Sequence, residues 1–563
     1  MSKLQVDDIV NKDNTGSVGF SRGAVVTGVV TATGGSFSGN VSVGGSLTYE
    51  DVTNIDSVGL ITARKGIIAT GVVTATSFSG SGANLTGIDA APSTTATASG
   101  ALANGDTIIV NANGTVSAVS GNANALGSAV QIHGDSRFDI AAVYDTSNDK
   151  VVVCYREDDD GDAGMAVVGT VSGNSISFGT PVEFVSAASF LDVCFDSTNN
   201  KVVVVYTDAA DSSKGKAIVG TVSGTSISFG TPAQFEAGVT TQIGCGFDQS
   251  RGKVVIVYRD DGDGDVGKGV IATVSGTSIS FGTVVQYESN VVTPSVVYDS
   301  TNNKTLVVFR DFSEGSTQGS VIVITGNGTT FSTEGLARFT TGTIETPRAC
   351  FDPDTGQVII AYKDSAASSK GKVITCDAST TTPTFGTAVV FNDGDTRNMN
   401  IAYDTGANKV AIIYEDHDNS EAGKLVAGTV SGTTVTLETS QTQTILTTKF
   451  AEYNDIVYDS DENRIVAFYT DDTANAQPLR ARVARISSTN LTTKNYIGIS
   501  DAAYSNGATA TVQIVGSVDD AQSSLTPGQQ YFIQNDGSLG LTASIPSVVA
   551  GTAIAATKLI VKG

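Results

Sequence analysis

The 563-residue chain contains no tryptophan, only two histidines and only five cysteines. Tryptophan stacks well on sugar rings, so its absence removes the usual aromatic platform for glycans, although tyrosine can replace it. The cysteines are Cys154, Cys194, Cys245, Cys350 and Cys376. They form no CxxC pair, and an odd, scattered set argues against a disulfide framework or a zinc site. We interpret them as small buried hydrophobic residues.

Long apolar segments are also missing from the sequence. No run reaches the roughly 18 apolar residues that a membrane-spanning helix needs. The opening MSKLQVDDIV lacks the apolar core of a signal peptide. We therefore expect neither membrane insertion nor ordinary secretion.

Basic residues are scarce, and the formal net charge is −24. The excess of acids falls largely between residues 133 and 487. Such a surface repels a phosphate backbone, so we expect no nucleic-acid partner. Abundant Gly, Ser, Thr and Val, with few capped helical patterns, predict a nearly all-β protein.

The chain does have a repeat of about fifty residues. Seven times, an aromatic residue followed by Asp opens a polar turn that leads into a Val/Ile run, as in YDTSNDKVVVCYRED and FDSTNNKVVVVYTDA. The opening aromatics are Tyr144, Phe195, Phe247, Tyr298, Phe351, Tyr403 and Tyr458, spaced 51, 52, 51, 53, 52 and 55 apart. Each unit divides into four short strands. Four antiparallel strands repeated seven times predict a seven-bladed β-propeller.

The last unit lacks a clear fourth strand after ARVARISS, near Ser487. A matching segment precedes the first unit, where Leu126 to Ile132 aligns with Phe178 to Phe184 of the first unit. We predict that residues 116–132 supply the outer strand of the last blade. That strand would close a propeller spanning 116–487 and remove an open sheet edge.

The flanking segments differ from the repeats in composition. Within residues 1–100, GAVVTGVVTATGGSFSG and GIIATGVVTATSFSGSG begin at Gly23 and Gly66. One copy has too little apolar area to form a core, which favours a fibrous β shaft wound from identical chains, most simply a homotrimer. A flexible Gly/Ser linker is the alternative. Residues 101–115 are predicted as a connector hairpin and 488–563 as a small C-terminal β module.

Both flanks carry a family resemblance. The segments MSKLQVDDIVNKDNTG, EDVTNIDSVGLITARKGIIATGVVTATSFSGSGANLTG and LTPGQQYFIQNDGSLGLTASIPSVVAGTAIAATKLIVKG resemble parts of tail-fibre and other virion proteins of marine bacteriophages, cyanophages especially. The repeat region resembles propellers inserted in such fibres. The resemblance implies a virion protein made in the host cytoplasm and released by lysis. No binding residue can be transferred from it.

Two acidic loops resemble the start of a calcium-binding loop. Asp158, Asp160 and Asp162 in the first unit, and Asp261, Asp263 and Asp265 in the third, follow a D-x-D-x-D spacing that offers oxygen ligands to Ca²⁺. Neither loop has the Gly at position six or the Glu at position twelve of an EF-hand. The alternative is a solvated hairpin with no bound cation.

Three arginines occupy the same position in different units, directly after the aromatic that ends the second strand. They are Arg156, Arg259 and Arg310. Such a set could hold a carboxylated sugar through bidentate hydrogen bonds. Pairing of each arginine with a neighbouring acid is the alternative. Neither histidine, His133 or His417, stands in a nucleophile motif, and we expect no enzyme activity.

Loop variation gives a positional hypothesis about function. Turns between strands one and two, and between three and four, are nearly uniform, whereas the loops between strands two and three and between units differ. The variable loops would lie on one face, which we expect to bind a host cell-surface glycan or protein; neutral drift of exposed loops is the alternative. The predicted function is a non-enzymatic virion fibre for host attachment. The alternatives are a purely structural virion component and a glycan-cleaving propeller enzyme.

Overall fold

A computed structural model describes residues 9, 20, 22–44, 74, 92–134, 138–158, 161–313, 317–326, 328–473 and 477–562, with backbone alone at positions 138, 451 and 452. The chain divides into two units, Met1–Gly87 and Ile88–Gly563. The described residues of the first unit contain no strand, and their side chains are exposed. Most of the predicted shaft lies outside the described residues, so the shaft stays a prediction.

The repeat region forms seven consecutive antiparallel sheets, which we call sheets 1 to 7. Sheet 1 contains Phe138–Asp145, Lys150–Glu157, Ala163–Ser172, Ser175–Phe178 and Val182–Val185. Sheet 2 contains Ala188–Asp196, Lys201–Asp208, Lys214–Ser223, Ser226–Phe229 and Ala233–Glu236. Sheet 3 contains Thr240–Asp248, Lys253–Asp260, Val266–Ser275, Ser278–Phe281 and Val285–Glu288. Sheet 4 contains Val291–Asp299, Lys304–Asp311, Gln318–Thr325 and Ser332–Arg338.

The remaining three sheets follow the same order. Sheet 5 contains Ile344–Asp352, Gln357–Asp364, Lys370–Asp377, Thr384–Phe385 and Val389–Asn392. Sheet 6 contains Thr396–Asp404, Lys409–Asp416, Ala422–Ser431, Thr434–Leu437 and Gln443–Leu446. Sheet 7 contains Phe450–Asp459, Arg464–Asp471 and Leu479–Arg485, completed by Ala125–Leu126 and Val130–His133. Short 3₁₀ turns occur at Ala209–Asp211, Asp261–Asp263, Ser365–Ala367 and Thr439–Gln441. The all-β prediction is confirmed.

The second strand of each sheet is apolar on both faces because a neighbouring sheet packs on each side. In Lys201–Asp208, Val202, Val204 and Tyr206 join the core shared with sheet 1. Val203 and Val205 point the other way and join the core shared with sheet 3. A strand buried on both faces loses the apolar/polar alternation of a half-exposed one, as the sequence shows.

An aspartate closes the turn between the first and second strands in every sheet. Asp299 is typical: it is fully buried and accepts hydrogen bonds from the backbone amides of Thr301 and Asn302, both at 2.9 Å. The next position, Asn303, has a φ of 52°. Left-handed backbone suits Asn, Asp and Gly, which explains the polar turn motif of all seven repeats. The capping aspartates are Asp145, Asp196, Asp248, Asp299, Asp352, Asp404 and Asp459.

Neighbouring sheets contact one another in sequence. The first strand of each sheet contacts that of the next, and the first strand of sheet 7 contacts that of sheet 1. At the outer edge, a glycine of sheet 1 lies against the turn of sheet 2: a Cβ on Gly179 would lie 1.9 Å from the carbonyl oxygen of Thr225. Only glycine allows two backbones to approach this closely.

The edge of sheet 7 comes from the N-terminal side of the repeats. Leu479–Arg485 pairs antiparallel with Ala125–Leu126 and Val130–His133. Between these two short strands, a Cβ on Gly127 would lie 1.8 Å from the carbonyl oxygen of Asn174 in sheet 1. Sheets 7 and 1 therefore share the backbone contact that sheets 1 and 2 make.

The segments on either side of the repeats combine into one structure. A five-stranded sheet contains Ser93–Thr97, Thr509–Gln513, Tyr496–Ser500, Thr107–Val110 and Val116–Ala118, in that order. A second contains Val518–Asp519, Lys558–Val561, Val549–Ala555, Gln530–Ile533 and Leu539–Gly540. Gly121–Asn122 pairs with Ser488–Thr489.

The predicted domain boundaries divide this region differently. Ser93–Thr97 was assigned to the shaft, 101–115 to a connector and 116–122 to the propeller, yet all pack with C-terminal strands. Their short strands reach a usable apolar area only by sharing a core with the C-terminal module, including Ile109 and Ile533. Strand pairing between distant segments leaves no local sequence signal.

The expectations about the cysteines and about membrane-spanning helices can be compared with the described residues. All five cysteines are free thiols, four of them buried and Cys350 partly so. Within the described part of the chain, there is no helix of the length and apolarity required to cross a bilayer.

Candidate functional site

The two ends of the repeat sheets differ in structure. One end, the turn face, carries the aspartate-capped turns and the short turns between third and fourth strands. The other end, the loop face, carries the loops between second and third strands and the connections between sheets. Strand pairing places both loop sets at this end; for example, Ala188 at the start of sheet 2 pairs with Asp208 at the end of its second strand. The amide of Ala188 also donates to the carbonyl of Asp162 in the preceding loop, at 2.8 Å.

Near the loop face, the first strand of each repeat sheet contains an irregularity. The pairing register shifts between Ser189 and Asp192 in sheet 2, for example. Within this bulge Phe190 has a φ of 46°, and Thr293 of sheet 4 has a φ of 51°. Left-handed backbone is costly for bulky and β-branched residues, about 1–3 kcal/mol each, and such strain is concentrated at functional sites.

The bulges surround a central cavity of about 500 Å³. Every repeat sheet lines it with residues two to five positions before the opening aromatic. The lining residues are 139–142, 190–192, 242, 243, 245, 293–296, 346, 348, 398–400 and 453–455. A cavity of this size suits a small ligand.

Three carboxyl groups, those of Asp139, Asp192 and Asp455, line the cavity. Asp192 accepts the backbone amides of Val193 and Cys245, both at 2.8 Å. Asp455 accepts the amides of Ala142 at 2.6 Å and Ile456 at 2.8 Å. Burial raises the pKa of Asp192 to about 6 and that of Asp455 to about 7, although these hydrogen bonds oppose the shift.

Arg348 is the only cation among the described residues that line the cavity. Burial lowers its pKa, and the charges of Asp192 and Asp455 oppose that shift. Its Nη1 donates to the carbonyl of Pro347 at 3.0 Å. Among the described residues, no carboxylate lies within ion-pairing distance of its guanidinium, whose remaining donors are available to a ligand.

Amide side chains and two aromatic side chains also line the cavity. Asn400 donates to Asp455 at 2.6 Å, and Gln242 accepts the amide of Thr293 at 3.2 Å. Both bonds join neighbouring sheets and hold the lining in place. Phe190 and Tyr453 also line the cavity, and Phe190 is 36% exposed.

The three arginines predicted as ligand-binding residues do not line this cavity. Arg259 forms ion pairs with Asp261 at 2.9 Å and Asp265 at 2.6 Å. Arg156 lies 3.7 Å from Asp162, and the guanidinium of Arg310 lies 4.6 Å from the ring centre of Phe312. The contacts of Arg156 and Arg259 are those of the alternative interpretation, in which each arginine pairs with a neighbouring acid, whereas Arg310 contacts an aromatic ring.

The predicted calcium loops lie on the loop face, with Asp160 outside the described residues. In sheet 3, Lys268 pairs with Asp263 at 3.0 Å and with Asp260 at 2.7 Å, so cationic side chains already neutralise this loop. Asp158 and Asp162 lie in the corresponding loop of sheet 1. Among the described residues, no group of three or more potential metal ligands is assembled.

The cavity residues carried a signal in the sequence. Counting three positions back from each opening aromatic gives Ala141, Asp192, Gly244, Ser295, Arg348, Asn400 and Asp455. The position directly after it is apolar in every unit, whereas this one changes in charge and size from unit to unit. A position that varies within a constant repeat is where a site can arise.

Comparisons with known proteins found no matching family model and no matching curated protein. Among solved structures, the chain is similar to the BP39L lectin from Burkholderia pseudomallei, with 11% identity and a TM-score of 0.48 over 62% of this chain and 95% of the lectin. It is also similar to AofleA from Arthrobotrys oligospora, with 9% identity and a TM-score of 0.36 over 60% and 93%. A protein of unknown function from Dyadobacter fermentans has 12% identity and a TM-score of 0.39 over 53% and 94%. These values carry no inference about a ligand.

Proposed function

We propose that the seven repeat sheets form a seven-bladed β-propeller closed by residues 125–133. The cyclic order of contacts between first strands supports this arrangement. The backbone contact of Gly127 with Asn174, equivalent to that of Gly179 with Thr225, supports it at the outer edge. A closed ring removes the sheet edges that would otherwise promote aggregation.

The propeller belongs to a non-enzymatic virion fibre that attaches the particle to a host cell. The observation that carries this proposal is the contrast between a uniform turn face and a variable loop face that also surrounds the cavity with Asp192, Arg348 and Asp455. A scaffold that is constant at one end and variable at the other has the organisation of a recognition module.

The flanks fit the same role. Val25, Val29 and Phe37 are among the exposed apolar side chains of the N-terminal unit, and winding with identical chains in a homotrimer would cover them. Several copies on one particle would offset weak single contacts by avidity. Localisation in the virion and contact with other virion proteins follow from the resemblance of both flanks to phage fibre proteins.

Binding of the fluorescently labelled full chain to a panel of marine cyanobacteria tests attachment. Attachment predicts saturable binding to some strains, reduced by an excess of unlabelled protein. Binding to phage structural proteins with none to any strain would instead support a structural adaptor.

A second candidate function, glycan cleavage, is favoured by one observation. Two buried carboxyl groups, those of Asp192 and Asp455, line the same cavity, and burial raises the pKa of both. A pair of carboxyl groups in one cavity is the catalytic equipment of most glycosidases. Release of reducing sugar from host envelope polysaccharide, abolished in Asp455→Asn, would establish it.

A further inference from the structure

We propose that the central cavity binds a single neutral hexose unit of a host glycan. The inference rests on the proposed attachment function and names the ligand class of the same face. It is argued from the hydrogen-bonding groups, the charge and the shape of the cavity.

The first argument is the kind of polar group that lines the cavity. Planar groups that offer paired donors or acceptors match the vicinal hydroxyls of a sugar, because each hydroxyl both donates and accepts. Arg348 offers guanidinium donors, and Asp192 and Asp455 offer carboxyl oxygens. Amides contribute both kinds of group from Gln242, Asn398, Asn400 and Asn454.

The second argument is that some of these groups lack partners. Oγ1 of Thr293 and Oδ1 of Asn454 are buried without a hydrogen-bond partner among the described residues. The guanidinium of Arg348 donates to the carbonyl of its own neighbour, Pro347. Unpaired buried polar groups are costly, and a ligand rich in hydroxyls would satisfy them.

The third argument concerns charge. Asp139, Asp192 and Asp455 outnumber the single cation, Arg348, in the lining. The formal charge of the chain, −24, adds repulsion of anions. A sugar that carries a carboxylate is therefore disfavoured relative to the neutral hexose of the same shape.

The fourth argument is the apolar surface beside these groups. Ile140, Leu191 and Met399 provide aliphatic contacts, and the exposed ring of Phe190 provides an aromatic face. Sugar rings present C–H groups to such surfaces. The strained backbone of Phe190, with a φ of 46°, keeps that ring in the bulge beside the cavity.

The test is titration calorimetry of the full chain with the methyl glycosides of glucose, galactose and mannose, with sodium glucuronate as the charged comparison. At least one neutral glycoside should bind, and more tightly than glucuronate. Arg348→Gln should weaken binding by about tenfold or more because it removes a donor to the sugar. Lys150→Gln removes the same charge on the turn face and should leave binding unchanged.

A second variant covers the case in which Arg348→Gln does not fold. Ser295→Trp places a bulky side chain in the cavity without removing a charge, and it should abolish binding while the circular dichroism spectrum is retained. Failure of all three neutral glycosides to bind the parent protein, or equal binding by a folded Ser295→Trp variant, would overturn the inference.

The cell-binding experiment keeps this inference separate from the proposed function. If the protein binds cyanobacteria but no hexose, the attachment function is supported and the cavity is not a hexose site. If the protein binds a hexose in the cavity but binds no cells, the hexose site is supported and the attachment function is contradicted.

Discussion

The turn face and the loop face are two ends of the same strands, yet they differ in how much their residues vary. At the turn face, each of seven sheets buries an aspartate that caps its turn, such as Asp299. At the loop face, the equivalent positions of different sheets carry Asp192, Arg348 or Asn400. The repeated end therefore carries the buried capping contacts, and the variable end carries the residues that differ from sheet to sheet.

The energetic basis of this difference is burial. A fully buried carboxylate that accepts two backbone amides cannot be replaced without leaving those amides unpaired. An exposed side chain of the loop face lacks such contacts: Asp263 is 65% exposed and pairs with Lys268, so its replacement leaves no buried backbone amide unpaired. The following predictions run from the largest expected effect to the smallest.

The proposed closure of the ring predicts the largest effect on stability. Gly127→Ala forces a Cβ against the carbonyl of Asn174, and we expect a loss of about 3 kcal/mol in the free energy of unfolding, similar to that of Gly179→Ala. Gly134→Ala, whose Cβ would meet nothing closer than 3.8 Å, is the matched control. Denaturant unfolding measures all three. A Gly127→Ala variant as stable as the control would contradict closure at this contact.

The same substitution at the two faces should have unequal costs. Asp299→Ala leaves the amides of Thr301 and Asn302 without an acceptor and should lose about 2–3 kcal/mol of stability. Asp263→Ala on the loop face removes a 65%-exposed side chain paired with Lys268 and should cost less than about 1 kcal/mol. Chemical denaturation measures both variants. Equal losses in their free energy of unfolding would contradict the difference between the two faces.

The cavity should make stability depend on pH. The pKa of Asp455 is raised to about 7 in the folded protein, so this carboxyl contributes its full stability below the unfolded value of 3.8 and loses it as pH rises through about 7. Relative to the parent, Asp455→Asn should therefore become progressively more stable as pH rises from about 4 to about 8. Unfolding curves across this range measure the gain, and a constant difference would contradict the raised pKa.

Removal of calcium should have the smallest effect on the stability of the protein. Arg259 and Lys268 already pair with Asp261, Asp263 and Asp265, so chelation should leave the melting temperature of the full chain unchanged within about 1 °C. Scanning calorimetry with and without a chelator makes the comparison. A clear increase in melting temperature on adding Ca²⁺ would return these loops to the calcium interpretation.

The repeat period predicted the first three strands of each unit, because their order is encoded locally, whereas the predicted single fourth strand is two short strands in six of the seven sheets. The apolar run of Lys201–Asp208 and the polar turn ending in Asn303 are examples of locally encoded features. The flanking sheets were not predictable in the same way, since Ser93–Thr97 pairs with Thr509–Gln513, more than four hundred residues away.

The cavity could not be predicted from the sequence. Recurrence at one repeat position indicates Arg156, Arg259 and Arg310 as candidates; they do not line the cavity, and ligand binding by them stays a prediction. Arg348 was overlooked because it stands alone at its repeat position. Its place beside Asp192 and Asp455 depends on how different sheets pack together, which brings residues more than a hundred positions apart to one cavity.

The most direct test of the account compares cell binding by two variants of the full chain. The first replaces loop-face residues 209–213 and 365–369 with Gly/Ser segments of equal length. The second carries Thr225→Ala, Thr277→Ala and Thr433→Ala, all exposed on the turn face. Flow cytometry on marine cyanobacteria that bind the parent should show lost binding for the first variant and full binding for the second. Parental binding by a folded loop-face variant would contradict the assignment of recognition to the loop face.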